Sequence, residues 1–180
     1  MMSDPASDFN EQYQALRDGR GIVELVGWSS ISVSGADRHS FLHNFCTNDI
    51  KRLAPGASCE AFFLNVKGKI VGHGIVSCRE DELVVIGVPG QARALVAHLD
   101  RYLIREDVQL RDTSAERDYV LAVGNPLIEN EQLRAMQAAH DLAIVPCNFT
   151  GSEVEQILEV PSEVVDKSLS LLQATGAMLA

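Results

Sequence analysis

The sequence predicts an α+β fold of mostly antiparallel sheets with packed helices. Three observations carry this expectation. Strand-like runs follow one another through short turns, a connection that suits antiparallel pairing and is too short for parallel crossovers. Lys67-Gly68 joins Glu60–Val66 to Lys69–Cys78 as a tight hairpin, with Gly68 free to take positive φ. Leu95, Leu99 and Leu103, with Ala92, Val96 and Tyr102, give one segment a broad helical apolar stripe.

The elements follow in order. Residues 1–10 are polar and read as a flexible N-terminus, and a short helix is expected over Glu11–Asp18, stopped by Gly19. Gly21–Leu25 and Ser29–Ser34 read as strands, the second with Ile31 and Val33 alternating against serines. Asp37 is the expected N-cap of a helix whose apolar face is Phe41, Leu42 and Phe45. After the hairpin, Glu82–Val88 is a strand closed by Pro89-Gly90, and Gln91–Ile104 is the strongest helix. Val108–Leu110 and Tyr119–Val123 are strands, Glu129–Ala139 a helix, and Leu142–Val145 and Gln156–Val160 strands. Ser162 opens a last helix that runs to about Leu172. Residues 11–180 are expected to form one region, in which Gly124-Asn125-Pro126 breaks a strand and marks, near 124–126, either a seam between two subdomains or a loop inside one domain.

Composition narrows the function classes. The 180 residues are 46% hydrophobic and 22% charged, a globular balance able to bury a core without disulfides. The formal net charge of -10 argues against a broad nucleic-acid footprint, although Lys51, Arg52, Lys67 and Lys69 leave room for a local basic groove. No 18-residue apolar run occurs, and Met1–Pro5 does not open like a signal peptide. The four cysteines, Cys46, Cys59, Cys78 and Cys147, form no C-x-x-C pair and read as small core residues, with a cytoplasmic location expected.

Several side chains are candidates for chemistry. Asn48 and Asp49 follow a helix and serve either a ligand pocket or the next turn. The Asn65 amide can donate and accept, and Gly68 lets backbone approach a ligand, or the two form an Asx-stabilised turn. Lys67 and Lys69 suit an anionic ligand tail or a solvated turn. His73, between Gly72 and Gly74, is either a base or a satisfied strand histidine. His39 and His43 are four apart, without the H-E-x-x-H pattern of a metal site, and no metal is expected.

A resemblance joins these residues. The run Gly35-Ala36-Asp37, Phe41-Leu42, Cys46-Thr47-Asn48-Asp49-Ile50, Leu53-Ala54-Pro55-Gly56 and Phe63-Leu64-Asn65-Val66-Lys67-Gly68-Lys69-Ile70 resembles the N-terminal region of the folate-binding aminomethyltransferase superfamily. Arg17–Leu25 fits its opening pattern. That superfamily includes the glycine-cleavage T-protein and YgfZ-type proteins linked to iron–sulfur cluster maintenance. The resemblance implies tetrahydrofolate or a related reduced folate as the ligand, with Asn65 orienting it and Asn48, Asp49, Gly68 and His73 around it. Where T-protein-like sequences carry an aspartate after the Asn-x-x-Gly hairpin, this chain has Gly72, followed by His73.

The glycine at position 72 leads to the expectation of a YgfZ-like folate-binding protein of one-carbon or iron–sulfur metabolism, without transferase activity. Two alternatives stand beside it. One is an aminomethyltransferase of the glycine cleavage system, with His73 as base and Asp49 assisting. The other is a structural or assembly module with no small ligand. Members of the superfamily are usually about twice this length, so a homo-oligomer or missing C-terminal domains would complete the site.

Overall fold

The computed structural model describes residues 5–124, 137, 142–148, 155–174 and 178–179. The chain divides into two compact units, Met1–Val26 with Asp118–Ala180, and Gly27–Arg117. Each holds a five-stranded sheet among the described residues.

The unit Gly27–Arg117 carries the sheet β3-β4-β5-β2-β6, built from β2 (Ser29–Ser34), β3 (Ser58–Leu64), β4 (Ile70–Cys78), β5 (Glu82–Gly87) and β6 (Gln109–Asp112). Its pairings are antiparallel. Alternation decides what faces the core: Ile31 and Val33 of β2, Ala61 and Phe63 of β3, and Val76 and Cys78 of β4 share one cluster. Helix α3 (Ala92–Asp100) covers that face with Leu95 and Leu99, both fully buried. Each such leucine contributes about 1.5–3 kcal/mol of transfer free energy. Helix α2 (Arg38–His43) adds Phe41 and Leu42 to the same cluster.

The expected helix over Gln91–Ile104 ends earlier, at Asp100, and Leu103 reaches the core from the turn beyond it. Asp37 precedes α2 but does not cap it through its side chain. Its Oδ2 instead accepts the Asp107 N–H at 2.9 Å, while the Asp107 carbonyl accepts the Asp37 N–H at 3.1 Å. The carboxylate is thus committed to a loop about 70 residues away in sequence, a partner that local capping rules do not see.

The other unit carries the sheet β10-β1-β7-β9-β8, from β1 (Gly21–Glu24), β7 (Arg117–Val123), β8 (Ala143–Cys147), β9 (Glu155–Pro161) and β10 (Met178–Leu179). β1 pairs antiparallel with β7 and parallel with β10, the latter absent from the sequence-based order. Helix α1 starts at Pro5 rather than Glu11 and runs to Arg17. Gly19, at φ +70°, stops it, with Arg20 N–H bonding the Ala15 carbonyl and Gly19 N–H the Leu16 carbonyl, the Schellman pattern. The last helix is a 3-10 turn at Ser162–Val164 followed by α4 (Val165–Ala174), whose Leu172 joins the core of Ile22, Val120, Leu158 and Val160. The helix expected over Glu129–Ala139 falls outside the described residues apart from position 137.

Candidate functional site

The β3–β4 hairpin organises every candidate. Asn65 closes it: its Oδ1 accepts the N–H groups of Lys67 at 2.9 Å and Lys69 at 3.1 Å, and its carbonyl accepts the Gly68 N–H at 2.9 Å. Gly68 sits at φ +71° with open space where a Cβ would project. The acceptor end of the Asn65 amide is therefore spent on the turn. Asn65 still borders a groove of about 490 Å³, together with Lys67, Lys69, His98, Arg101 and Tyr102. Three cations and no carboxylate line it in a chain of formal net charge -10. Such a groove attracts an anion.

Position 72 does not line this groove. A Cβ built on Gly72 would lie 3.1 Å from Leu95 Cδ2, beneath α3. His73, the next residue, projects to the opposite face of the sheet. There its Nε2 lies 2.6 Å from Glu60 Oε1, and its ring stacks on Phe62 with centroids 4.6 Å apart and planes 27° apart. The backbone of His73 is held as well: Gln91 Nε2 donates to its carbonyl at 2.6 Å, and its N–H donates to Gln91 Oε1 at 3.2 Å. β5 stops at Gly87, so the Gln91 amide continues the ladder beside β4. A side chain at 87 would occupy the space this amide takes.

Sequence reasoning singled out His73 but missed Glu60, Phe62 and Gln91. The available signal was alternation: Glu60 and Phe62 are two apart on β3, and Phe62 stands opposite His73 in the register. Gln91 had no comparable signal, because its role depends on where β5 ends.

Asn48 and Asp49 lie along the edge of β3. Asn48 Nδ2 donates to the Glu60 carbonyl at 2.9 Å, and Asn48 Oδ1 accepts the Asp49 N–H at 2.8 Å. The Thr47 hydroxyl accepts the Phe62 N–H at 3.0 Å. These bonds cap an otherwise open strand edge. The Asp49 carboxylate lies 3.5 Å from His43 Nδ1 and 3.4 Å from Arg52 Nε. It also helps raise the Cys59 thiol, which burial above all pushes up to about 11. Asn48 thus reaches the strand carrying Glu60, whereas Asp49 pairs with His43 and Arg52. Among the described residues no three His, Cys, Asp or Glu side chains converge as metal ligands.

The fold and these positions can be set beside known proteins. A family described as the GCVT N-terminal domain matches residues 4–163. The chain belongs to that family. Among its relatives is a putative chloroplastic transferase of Arabidopsis thaliana, 22% identical over 174 residues, covering 93% of this chain and 39% of the relative. An aminomethyltransferase of Bordetella pertussis is 30% identical over 87 residues, covering 48% of this chain and 22% of the relative. Among solved structures, the glycine cleavage system aminomethyltransferase T from Bartonella henselae superposes with a TM-score of 0.72 at 18% identity. The superposition covers 93% of this chain and 49% of that one, and it shows that the α+β fold is shared. The GCVT N-terminal domain described here therefore spans less than half the length of these relatives.

The relatives correct one expectation. A YgfZ-like protein without transferase activity was expected from the glycine at position 72, but the relatives named above are aminomethyltransferases and a putative transferase. The physical reason for the error is local. Position 72 faces Leu95 whereas His73 lies on the opposite face beside Glu60, so the glycine leaves no gap next to His73. No helix among the described residues is long and apolar enough to cross a membrane.

Proposed function

We propose that this GCVT N-terminal domain handles the folate side of an aminomethyl transfer, in which a carbon unit passes from a carrier-bound intermediate to tetrahydrofolate. The observation that carries the reading is the family match over residues 4–163. The named aminomethyltransferase relatives support it, and because the chain spans only part of their length, the complete reaction belongs to the proposal as well.

Within this reading His73 is the base on the face of β4 away from α3, and Asn48 lies near it through the Glu60 backbone. The groove beside Asn65 and Gly68 receives the anionic tail of the folate, drawn by Lys67, Lys69 and Arg101. Asp49 holds His43 and Arg52 and shapes the loop that follows Asn48.

Calorimetric titration of the folded chain with tetrahydrofolate tests the reading. Saturable binding with one site per chain is expected. A folded sample that gives no saturable heat rejects folate binding by this chain. A turnover assay with the carrier intermediate and tetrahydrofolate then decides whether transfer occurs.

A further inference from the structure

We infer that Glu60 is a positioning residue that fixes the His73 imidazole as an Nε2–H donor and presents Nδ1 as the proton acceptor for a ligand amine. The inference rests on the aminomethyl-transfer reading only for the identity of that amine, the ring nitrogen of a reduced folate.

The geometry supplies each part. An ionised carboxylate only accepts hydrogen bonds, so the 2.6 Å contact between Glu60 Oε1 and His73 Nε2 places the proton on Nε2. The lone pair of the neutral ring is then on Nδ1, and among the described residues Nδ1 has no hydrogen-bond partner. Stacking on Phe62 sets the ring plane. The paired bonds to Gln91 fix the backbone from which the ring projects. Orientation of an imidazole by a carboxylate on one nitrogen, leaving the other for chemistry, is the general logic of acid–base dyads. Among the described residues Glu60 is the only charged group paired with the ring, so nothing else there competes to set the tautomer.

The proton step balances simply. The amine lone pair forms the bond to the transferred carbon as that carbon's bond to its carrier breaks. The N–H bond of the resulting ammonium then breaks, and its electron pair stays on nitrogen as the new lone pair. A bond forms between that proton and Nδ1, and the resulting imidazolium is offset by the Glu60 carboxylate. Holding the base ready in one tautomer removes a search that would otherwise precede transfer.

The experiment uses the full chain with isotope-labelled histidine. Long-range nitrogen–proton correlations read the His73 tautomer in the native protein, in Glu60→Ala and in Glu60→Gln. The Glu60 side chain is 47% exposed, so both variants are expected to fold. The native ring is expected to show a single Nε2–H form, and Glu60→Ala to release it into an exchanging mixture with broadened signals. Glu60→Gln retains an acceptor oxygen and is expected to fall between them. A native ring protonated on Nδ1, or a spectrum unchanged in Glu60→Ala, overturns the inference. Turnover, where the wild-type chain supports it, is expected to lose about tenfold or more in kcat in Glu60→Ala with KM nearly unchanged. An equal kcat overturns the role even if the tautomer shifts. Loss of tetrahydrofolate binding by the wild-type chain would overturn the folate reading instead, while the tautomer result still decides the dyad.

Discussion

Gly72 and Leu95 face each other across the interface between β4 and α3, with 3.1 Å separating a Cβ at position 72 from Leu95 Cδ2. A larger side chain there enters the core rather than the face that carries His73. Gly72→Asp is therefore expected to destabilise the protein without adding function. Overpacking alone costs about 1–3 kcal/mol, and a carboxylate without a partner adds to it. Urea unfolding measures the loss, and a variant as stable as the wild type would show that the β4–α3 contact is looser than described.

Gly74 is more tightly confined. A Cβ at this position would sit 2.3 Å from the Ile86 carbonyl oxygen, which is backbone and cannot swing away. Gly74→Ala is expected to force apart β4 and β5 at the Gly74–Gly87 pair and to cost about 2 kcal/mol or more. Gly68→Ala has open space and is expected to cost only the left-handed conformational penalty, about 1–2 kcal/mol. Comparing the two melting temperatures tests the ranking, and equal losses would contradict it.

Asn65 has separable roles. Asn65→Ala removes the acceptor for two backbone N–H groups and is expected to cost about 1 kcal/mol while loosening the hairpin. Asn65→Asp keeps that acceptor and removes the amide donor. If the amide contacts folate, both variants weaken binding in titration calorimetry, yet only the alanine variant lowers the melting temperature. Unchanged affinity in the aspartate variant would confine Asn65 to the turn.

The cation-lined groove predicts a charge effect. Reversing Lys67 and Lys69 to glutamate is expected to weaken tetrahydrofolate binding by about tenfold or more and to flatten its dependence on salt. Titrations at two ionic strengths provide the measurement. Retained affinity and retained salt dependence would remove the groove from the ligand site.

Thiol ionisation gives an alkaline prediction. Burial pushes the Cys59 thiol from its ordinary 9.0 up to about 11, with Cys46 and Asp49 adding to it. Burial, aided by Glu155, pushes Cys147 up to about 12. A folded value above the unfolded one means the native state holds the proton more tightly. That stabilisation is full below about pH 9 and is lost as pH rises towards 11 for Cys59 and 12 for Cys147. Melting temperatures should therefore fall across this window, and less steeply in Cys59→Ala. Parallel slopes for the two proteins would assign the fall to other groups.

Much of the architecture was legible because period and punctuation agree. The hairpin at Lys67-Gly68, the alternation of Ile31 and Val33, and the Leu95–Leu99 stripe each need only local geometry. The parallel β1–β10 pairing was not legible, since a two-residue strand has no usable periodicity and its partner lies across the whole sequence. The site divides in the same way. His73 stood out between two glycines, but its partners arrive through strand register and through the end of β5. Asp37 looked like a cap and is instead bound to Asp107, because tertiary contact outweighed the local preference.

The division of the chain also sets an order of assembly. All five strands of the β3-β4-β5-β2-β6 sheet lie within Gly27–Arg117, so they can pair as soon as that stretch leaves the ribosome. β1 is made earlier still but waits: its antiparallel partner comes with Arg117–Val123 and its parallel partner with Met178–Leu179. Among the described strands of its sheet, β1 is thus made first and completed last. Until β7 follows it, Ile22, which is fully buried in the finished fold, lies on an unpaired segment and is the place where a chaperone would be expected to act first.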